Sequence, residues 1–139
     1  MRRSGFRVPA TWRHAFDGAK PSKYGNVRCT CDHNHKHDSR VESRFCDYLH
    51  LLQRGNVAIW GGRIIKIESQ VTVDLEVCKY KSDFMITLCA EDGVEQVRHL
   101  DVKGFSTDVF RIKRKLFDRL FSATPLIVVR FVRGHWIYS

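Results

Sequence analysis

Asp101 and Lys103 stand two positions apart in HLDVKGF, residues 99–105. In an extended strand that spacing puts both on one face, with Leu100 and Val102 on the other. A carboxylate and an ammonium side by side admit two readings. One is a surface ion pair, which contributes little to stability. The other is a metal ligand beside a catalytic lysine. Asp83, in KSDF at 81–84, bears on the choice. The chain runs from it through EDG at 91–93, a hairpin turn in which glycine supplies a positive φ, and returns to Asp101. Pairing around that turn brings Asp83 opposite Asp101, within a residue or two. Two carboxylates held together repel each other unless a proton or a cation lies between them. Oxygen ligands of this kind suit Mg2+ or Mn2+, and such an ion polarises a phosphate and lowers the pKa of a bound water. Lys103, one pleat on, is placed to orient that water or to neutralise charge developing on the phosphoryl group.

A second group of chemically active residues lies in CTCDHNHKHD, 29–38. Cys29, Cys31, His33, His35 and His37 share one parity, and sulfur with imidazole suits Zn2+. A straight strand would spread successive members by almost 7 Å, so a turn near Asn34 is needed to bring them together. Without that turn the segment is a polar hairpin leading into the first helix. The five cysteines are an odd number and do not read as a disulfide framework. Cys46, Cys78 and Cys89 lie among apolar residues and read as small buried hydrophobes.

These groups are positioned by six predicted elements. Residues 39 to about 54 form a helix: Val41, Phe45, Tyr48, Leu49 and Leu52 recur at helical spacing, Ser39 and Glu42 make a capping box, and Gly55 is a stop at C′. Residues 64–77 form a strand in which Val71, Val73, Leu75 and Val77 alternate with polar residues. Residues 80–90 and 94–103 are the arms of the hairpin. FSTDVFRIKRKLFDRLF, 105–121, is capped by Thr107 or Asp108. Its apolar stripe is Val109, Ile112, Leu116 and Leu120, widened by Phe110, Phe117 and Phe121. TPLIVVRFV, 124–132, reads as a buried strand, parallel to its neighbour after a helical crossover, and Gly134 turns the chain into a short tail, HWIYS. The order is α-β-β-β-α-β, an α/β sandwich. Residues 1–26 read as a basic arm with little regular structure, in which Trp12 and Phe16 could pin a helical turn, and 27–139 as one domain.

The 139 residues suit a single modest core, and 43 % apolar with 28 % charged residues suits a globular chain. No apolar run reaches the roughly 20 residues a membrane span needs, and no apolar segment of a secretory signal follows the basic N-terminus. A cytosolic protein is expected. The net charge of +9 and pI near 9.6 favour a polyanionic partner, and most basic residues fall on folded elements.

The carboxylate and lysine pattern resembles the PD-(D/E)XK nuclease superfamily, which carries an acid on one strand and an acid, any residue and a lysine on the next. KYGN, HDSRVESRF, ESQ at 68–70, KSDF and LDVKGFSTDVFRIKRKLF further resemble a small phage-encoded family within that superfamily, over about residues 23–130. Ser82 stands where the motif has proline, and the second acid is Asp rather than the longer Glu. The resemblance implies a restriction-endonuclease-like core and a site of Asp83, Asp101, Lys103 and, from the preceding helix, Glu42, with Mg2+ or Mn2+ held by the three acids. It also implies DNA as substrate. Arg111, Lys113, Arg114 and Lys115 would then bind the backbone, with Ser106 and Thr107 as phosphate contacts and Gln70 as an outer contact to metal or DNA. Small basic members include dimeric resolvases of four-way junctions, so a homodimeric, structure-specific endonuclease acting in recombination or replication is the first expectation. A nicking or exonucleolytic enzyme is the second. A non-catalytic, zinc-stabilised nucleic-acid-binding protein is the third.

Overall fold

The computed structural model of the protein describes residues 28–139. The expected basic arm, with Trp12 and Phe16, lies outside the described residues. A small hairpin comes first, β1 (Cys29–Thr30) against β2 (Lys36–His37), followed by helix α1 (Arg40–Arg54). Then come β3 (Ala58–Ile59), β4 (Gly62–Asp74), β5 (Lys79–Cys89) and β6 (Glu95–Val102). Helix α2 (Asp108–Leu120), β7 (Ile127–Val132) and β8 (His135–Tyr138) complete the chain. Strands β3 to β8 form one mixed sheet in sequence order, antiparallel except for the parallel pair β6–β7 that α2 connects. The protein is therefore α/β, as expected, with a parallel crossover where the apolar run 124–132 predicts one.

Two strands were not anticipated. HWIYS is no loose tail: Val128 and Ser139 exchange backbone hydrogen bonds, and β8 pairs antiparallel with β7. Its Trp136 ring packs on Phe45 of α1, so a segment too short to declare itself by pattern is fixed by an aromatic contact from elsewhere in the chain. The two-residue β3 is held in the same way, by pairing with β4.

Each face of the sheet is covered by one helix. Phe45, Cys46, Leu49 and Leu52 of α1 pack on Ile64, Phe84, Ile86, Leu88, Leu100 and Val129. Phe110 and Phe117 of α2 pack on Leu75, Tyr80, Leu126 and Val128. Ser39 caps α1, accepting from the Glu42 N–H at 3.2 Å. Gly55 ends the helix in a right-handed conformation with φ −76°, and Asn56 takes the left-handed one with φ 53°, which lets the Asn56 N–H donate to the Gln53 carbonyl and the Val57 N–H to that of Leu52. In α2 the expected stripe is displaced. Val109 and Ile112 are exposed, and the buried pair is Phe110 and Phe117, whose larger rings reach the sheet and turn the helix toward them. Val77 is exposed too, since β4 stops at Asp74 and Val77 lies in the turn before β5.

One irregularity positions the site. On β5, Phe84, Ile86 and Leu88 belong to the α1-side core, whereas Tyr80, of the same parity, belongs to the α2-side core. Strict alternation forbids that, so the strand changes face at Asp83. The partner strand breaks at the same level: Ser69 pairs with Phe84 and Val71 with Ser82, and Gln70 between them is left-handed, φ 57°. A non-glycine residue held there stores some backbone strain.

Candidate functional site

The hairpin β5–β6 pairs Phe84 with Leu100, Met85 with His99 and Ile86 with Arg98. One step further along that register Asp83 falls opposite Asp101, the arrangement expected from the spacing. The ladder opens at this step. The Val102 N–H donates to Asp83 Oδ2 at 2.8 Å, so a side chain occupies the place of a strand partner. Asp101 is buried, 1 % exposed, and its two oxygens are treated differently. Tyr80 donates its hydroxyl to Oδ2, and the Lys103 ammonium lies 3.1 Å from Oδ1. Lys103 is also 4.8 Å from the centre of the Phe110 ring. Leu100 and Val102 point into the α1-side core, so the face assignment made for HLDVKGF holds. The surface ion-pair reading does not, because one partner is buried.

Glu42 approaches from the first turn of α1. Its Oε1 accepts from the Ser39 hydroxyl at 3.2 Å, and its Oε2 accepts from the Asp38 N–H at 3.3 Å. It is 8 % exposed. The capping role is therefore real, and it holds the carboxylate at the edge of the site. Burial pushes the Glu42 carboxyl up, opposed by those hydrogen bonds and by Lys103. Asp83 is pushed up to about 10, first by burial, then by hydrogen bonding to and repulsion from Asp101, then by Glu42. Burial and the Asp101 carboxylate likewise push the Tyr80 hydroxyl up. Three acids on three elements thus lie near one lysine, and their proximity together with burial favours the protonated form of Asp83 and Glu42.

A cleft of about 670 Å3 opens beside them, lined by Ser39, Glu42, Lys103, Phe105, Thr107 and Phe110 among others. The first turns of α1 and α2 both border it, each capped by a side chain and each bringing the positive end of a helix dipole. A larger depression of about 990 Å3 beside β3, lined by Trp60, Arg63 and Glu91 among others, contains no comparable convergence of acids.

Tyr80 was not singled out in the sequence, although it opens the YKSDF stretch. The signal would have been an aromatic hydroxyl three residues before the acid, on a strand that changes face between them. The basic residues are partly redistributed. Arg111 and Lys115 are exposed, with Arg111 3.2 Å from Asp108. Lys113 donates to the Lys79 carbonyl at 3.1 Å, and Arg114 leans toward Asp118 at 3.8 Å. Thr107 accepts from the Phe110 N–H as the cap of α2. Ser106 lies 3.3 Å from Arg130. Gln70 is half-buried with its amide nitrogen unpaired and enclosed, so it does not face outward as a DNA contact would.

The Cys/His segment turns where it has to. Asn34 is left-handed, φ 62°, the Asn34 N–H donates to the Cys31 carbonyl and the Cys31 N–H to the His35 carbonyl. Cys31, His35 and His37 are thereby gathered, and Cys46 of α1 joins them, the four ligand atoms lying within 4.8 Å of one another. This set corrects the expected one. Cys29, opposite His37 in the ladder, and His33, against the His50 ring at 3.9 Å between centres, are not among the four gathered ligands. Cys46 is no mere small hydrophobe. Two sulfurs and two imidazoles are a donor set compatible with zinc. Burial, and then the adjacent Cys31, push the Cys46 thiol up to about 12.

Comparison with known proteins gives one family. A family model described as "Protein of unknown function (DUF1064)" matches residues 21–138. The chain belongs to this family. No curated protein and no solved structure matches it. The DUF1064 description names no reaction, which leaves the chemistry to the side chains. The acidic site and the Cys/His group both lie within the matched residues.

Proposed function

We propose that this protein is a divalent-metal-dependent DNA endonuclease of the PD-(D/E)XK type, with a restriction-endonuclease-like core, acting on branched DNA such as a four-way junction in phage recombination or replication. The observation that carries this reading is the meeting of Asp83 and Asp101 on neighbouring strands beside Lys103, with Glu42 near from a helix and lining, with Lys103, the adjoining cleft. The donor set fits Mg2+ or Mn2+: the ligands are all oxygen, burial and then the Asp101 and Glu42 carboxylates favour a proton on Asp83, and a hard cation would replace that proton. Such an ion would neutralise charge on the scissile phosphate and acidify a water.

The chain's own residues supply the rest. Tyr80 fixes the Asp101 carboxylate through one oxygen and leaves the other toward Lys103. Lys103, half-buried over Phe110, offers its ammonium at the cleft to the charge that grows on the phosphoryl oxygens. The N–H groups at the starts of α1 and α2 favour a phosphate in the same cleft. Arg111, Lys115 and the overall charge of +9 supply sequence-independent affinity for the backbone. With no separate reading domain among the described residues, recognition by DNA shape is favoured over base readout, and a four-way junction would call for a homodimer. A non-catalytic nucleic-acid-binding protein would leave Asp83, Asp101 and Glu42, gathered beside one lysine, without a purpose.

The test is a cleavage assay on single-strand, duplex, flap and four-way DNA with Mn2+ and with chelator. Metal-dependent cutting of a branched substrate is expected. Asp101→Asn, which removes charge but not size, should abolish it while DNA binding persists. Cutting by Asp101→Asn at near the parent rate would place the reaction elsewhere.

A further inference from the structure

We propose that Cys31, His35, His37 and Cys46 bind one zinc ion in a closed, structural site that fastens the β1–β2 hairpin onto helix α1. The four ligand atoms already lie within 4.8 Å of one another. Tetrahedral zinc with Zn–S near 2.3 Å and Zn–N near 2.0 Å needs ligand separations of roughly 3.3–3.8 Å. His35 Nδ1 and Cys46 Sγ already meet that at 3.4 Å, so small side-chain rotations close the rest.

His37 gives an independent indication. It is 2 % exposed, and neither ring nitrogen has a hydrogen-bond partner. A buried imidazole with an unsatisfied nitrogen costs about 1–3 kcal/mol, and a metal bond removes that cost. The Cys31 and Cys46 thiols are buried as well, while His35 is open to solvent, which leaves a route for the ion to enter.

The hairpin also needs a fastening. Each of its strands is two residues long, and a two-stranded hairpin is marginal even at greater length. A metal bridging Cys31, His35 and His37 on the hairpin and Cys46 on the second turn of α1 would fix it to the body, so that binding free energy becomes folding free energy. Sulfur and imidazole select zinc over Mg2+ or Mn2+, which separates this site from the carboxylate cluster. The hairpin runs directly from His37 into Asp38, whose N–H donates to Glu42 Oε2, so the same ion would steady the first turn of α1. A Cys31–Cys46 disulfide is the competing chemistry, but it would leave His35 and His37 without a role.

The test uses the full chain, purified without a tag. Elemental analysis should find about one zinc per chain. The cobalt-substituted protein should show the intense visible bands of a tetrahedral ion with a thiolate-to-cobalt charge-transfer band. Cys46→Ser should lose about half of that band, whereas Cys29→Ser and His33→Ala should keep it. Hydrogen exchange after chelation should show lost protection over residues 31–46 and unchanged protection in β5. Absence of stoichiometric zinc in the parent chain, an octahedral cobalt spectrum, or a mass lighter by two hydrogens from a Cys31–Cys46 disulfide would each overturn the proposal. These parent-chain measurements decide even if Cys46→Ser does not fold.

Discussion

Asp83→Asn should stabilise the metal-free protein at neutral pH and make it unresponsive to divalent ions. The Asp83 carboxyl rises from 3.8 to about 10 on folding. Below pH about 4 both folded and unfolded chains hold its proton, and the group has no effect on stability. Between about 4 and 10 the unfolded chain releases the proton while the folded one keeps it, so stability falls as pH rises, by up to about 1.4 kcal/mol per pH unit. At pH 7 the ceiling is about 4 kcal/mol. Asp83 is half-buried and solvent screening lowers the figure, so a gain of about 1–3 kcal/mol is expected from asparagine, which keeps the oxygen that accepts from Val102. For a domain of this size that is a melting-temperature rise of about 4–12 °C. The assay is thermal unfolding from pH 5 to 9, with chelator and with Mn2+. The parent should lose stability across that range and regain about 2.7 kcal/mol at an Mn2+ concentration of about 100 Kd. The variant should show a flatter pH profile and no Mn2+ response. A variant that is less stable at pH 7, keeps the parent's pH slope and still responds to Mn2+ would refute the reasoning that burial and the neighbouring acids favour a proton on Asp83.

Lys103→Ala should keep the Mn2+-induced rise in melting temperature but lower cleavage by about 10^2-fold or more, because an interaction made in the transition state is removed rather than a ligand; single-turnover kinetics beside thermal shift separates the two. Tyr80→Phe leaves Asp101 Oδ2 buried without its donor and should destabilise the protein by about 1–3 kcal/mol in denaturant unfolding. Arg111→Ala with Lys115→Ala should weaken DNA binding equally for all sequences and lower the salt slope by about two, read by anisotropy at several salt concentrations. Lys113→Ala should do less, since its ammonium is engaged by the Lys79 carbonyl. Phe45→Ala, at a side chain 0 % exposed that meets Phe84 and Trp136, should cost about 3–5 kcal/mol.

Features set within a few residues were legible in the sequence. The Ser39–Glu42 cap, the left-handed Gly93 in the hairpin turn (φ 82°) and the alternation that puts Asp101 and Lys103 on one face all depend on neighbours in the chain. Turn position fixes hairpin register, so the Asp83–Asp101 pairing could be counted from the residues. What the tertiary structure decided involves partners distant in sequence. Cys46 has the pattern of a small core residue on a helix, and only docking of the hairpin brings His35, eleven residues away, against it. Asp101 could be an exposed ion pair by pattern, and only Tyr80 and the covering helix α2 make it a buried carboxylate. The face of α2 went the same way. Periodicity offers several apolar stripes on a helix with Val109, Phe110, Ile112 and Phe117, and the sheet selects the one whose aromatic rings fill the space beside Tyr80 and Leu126. β8 is a strand because β7 offers it an edge and Phe45 a ring to pack on, neither of which is written in HWIYS itself.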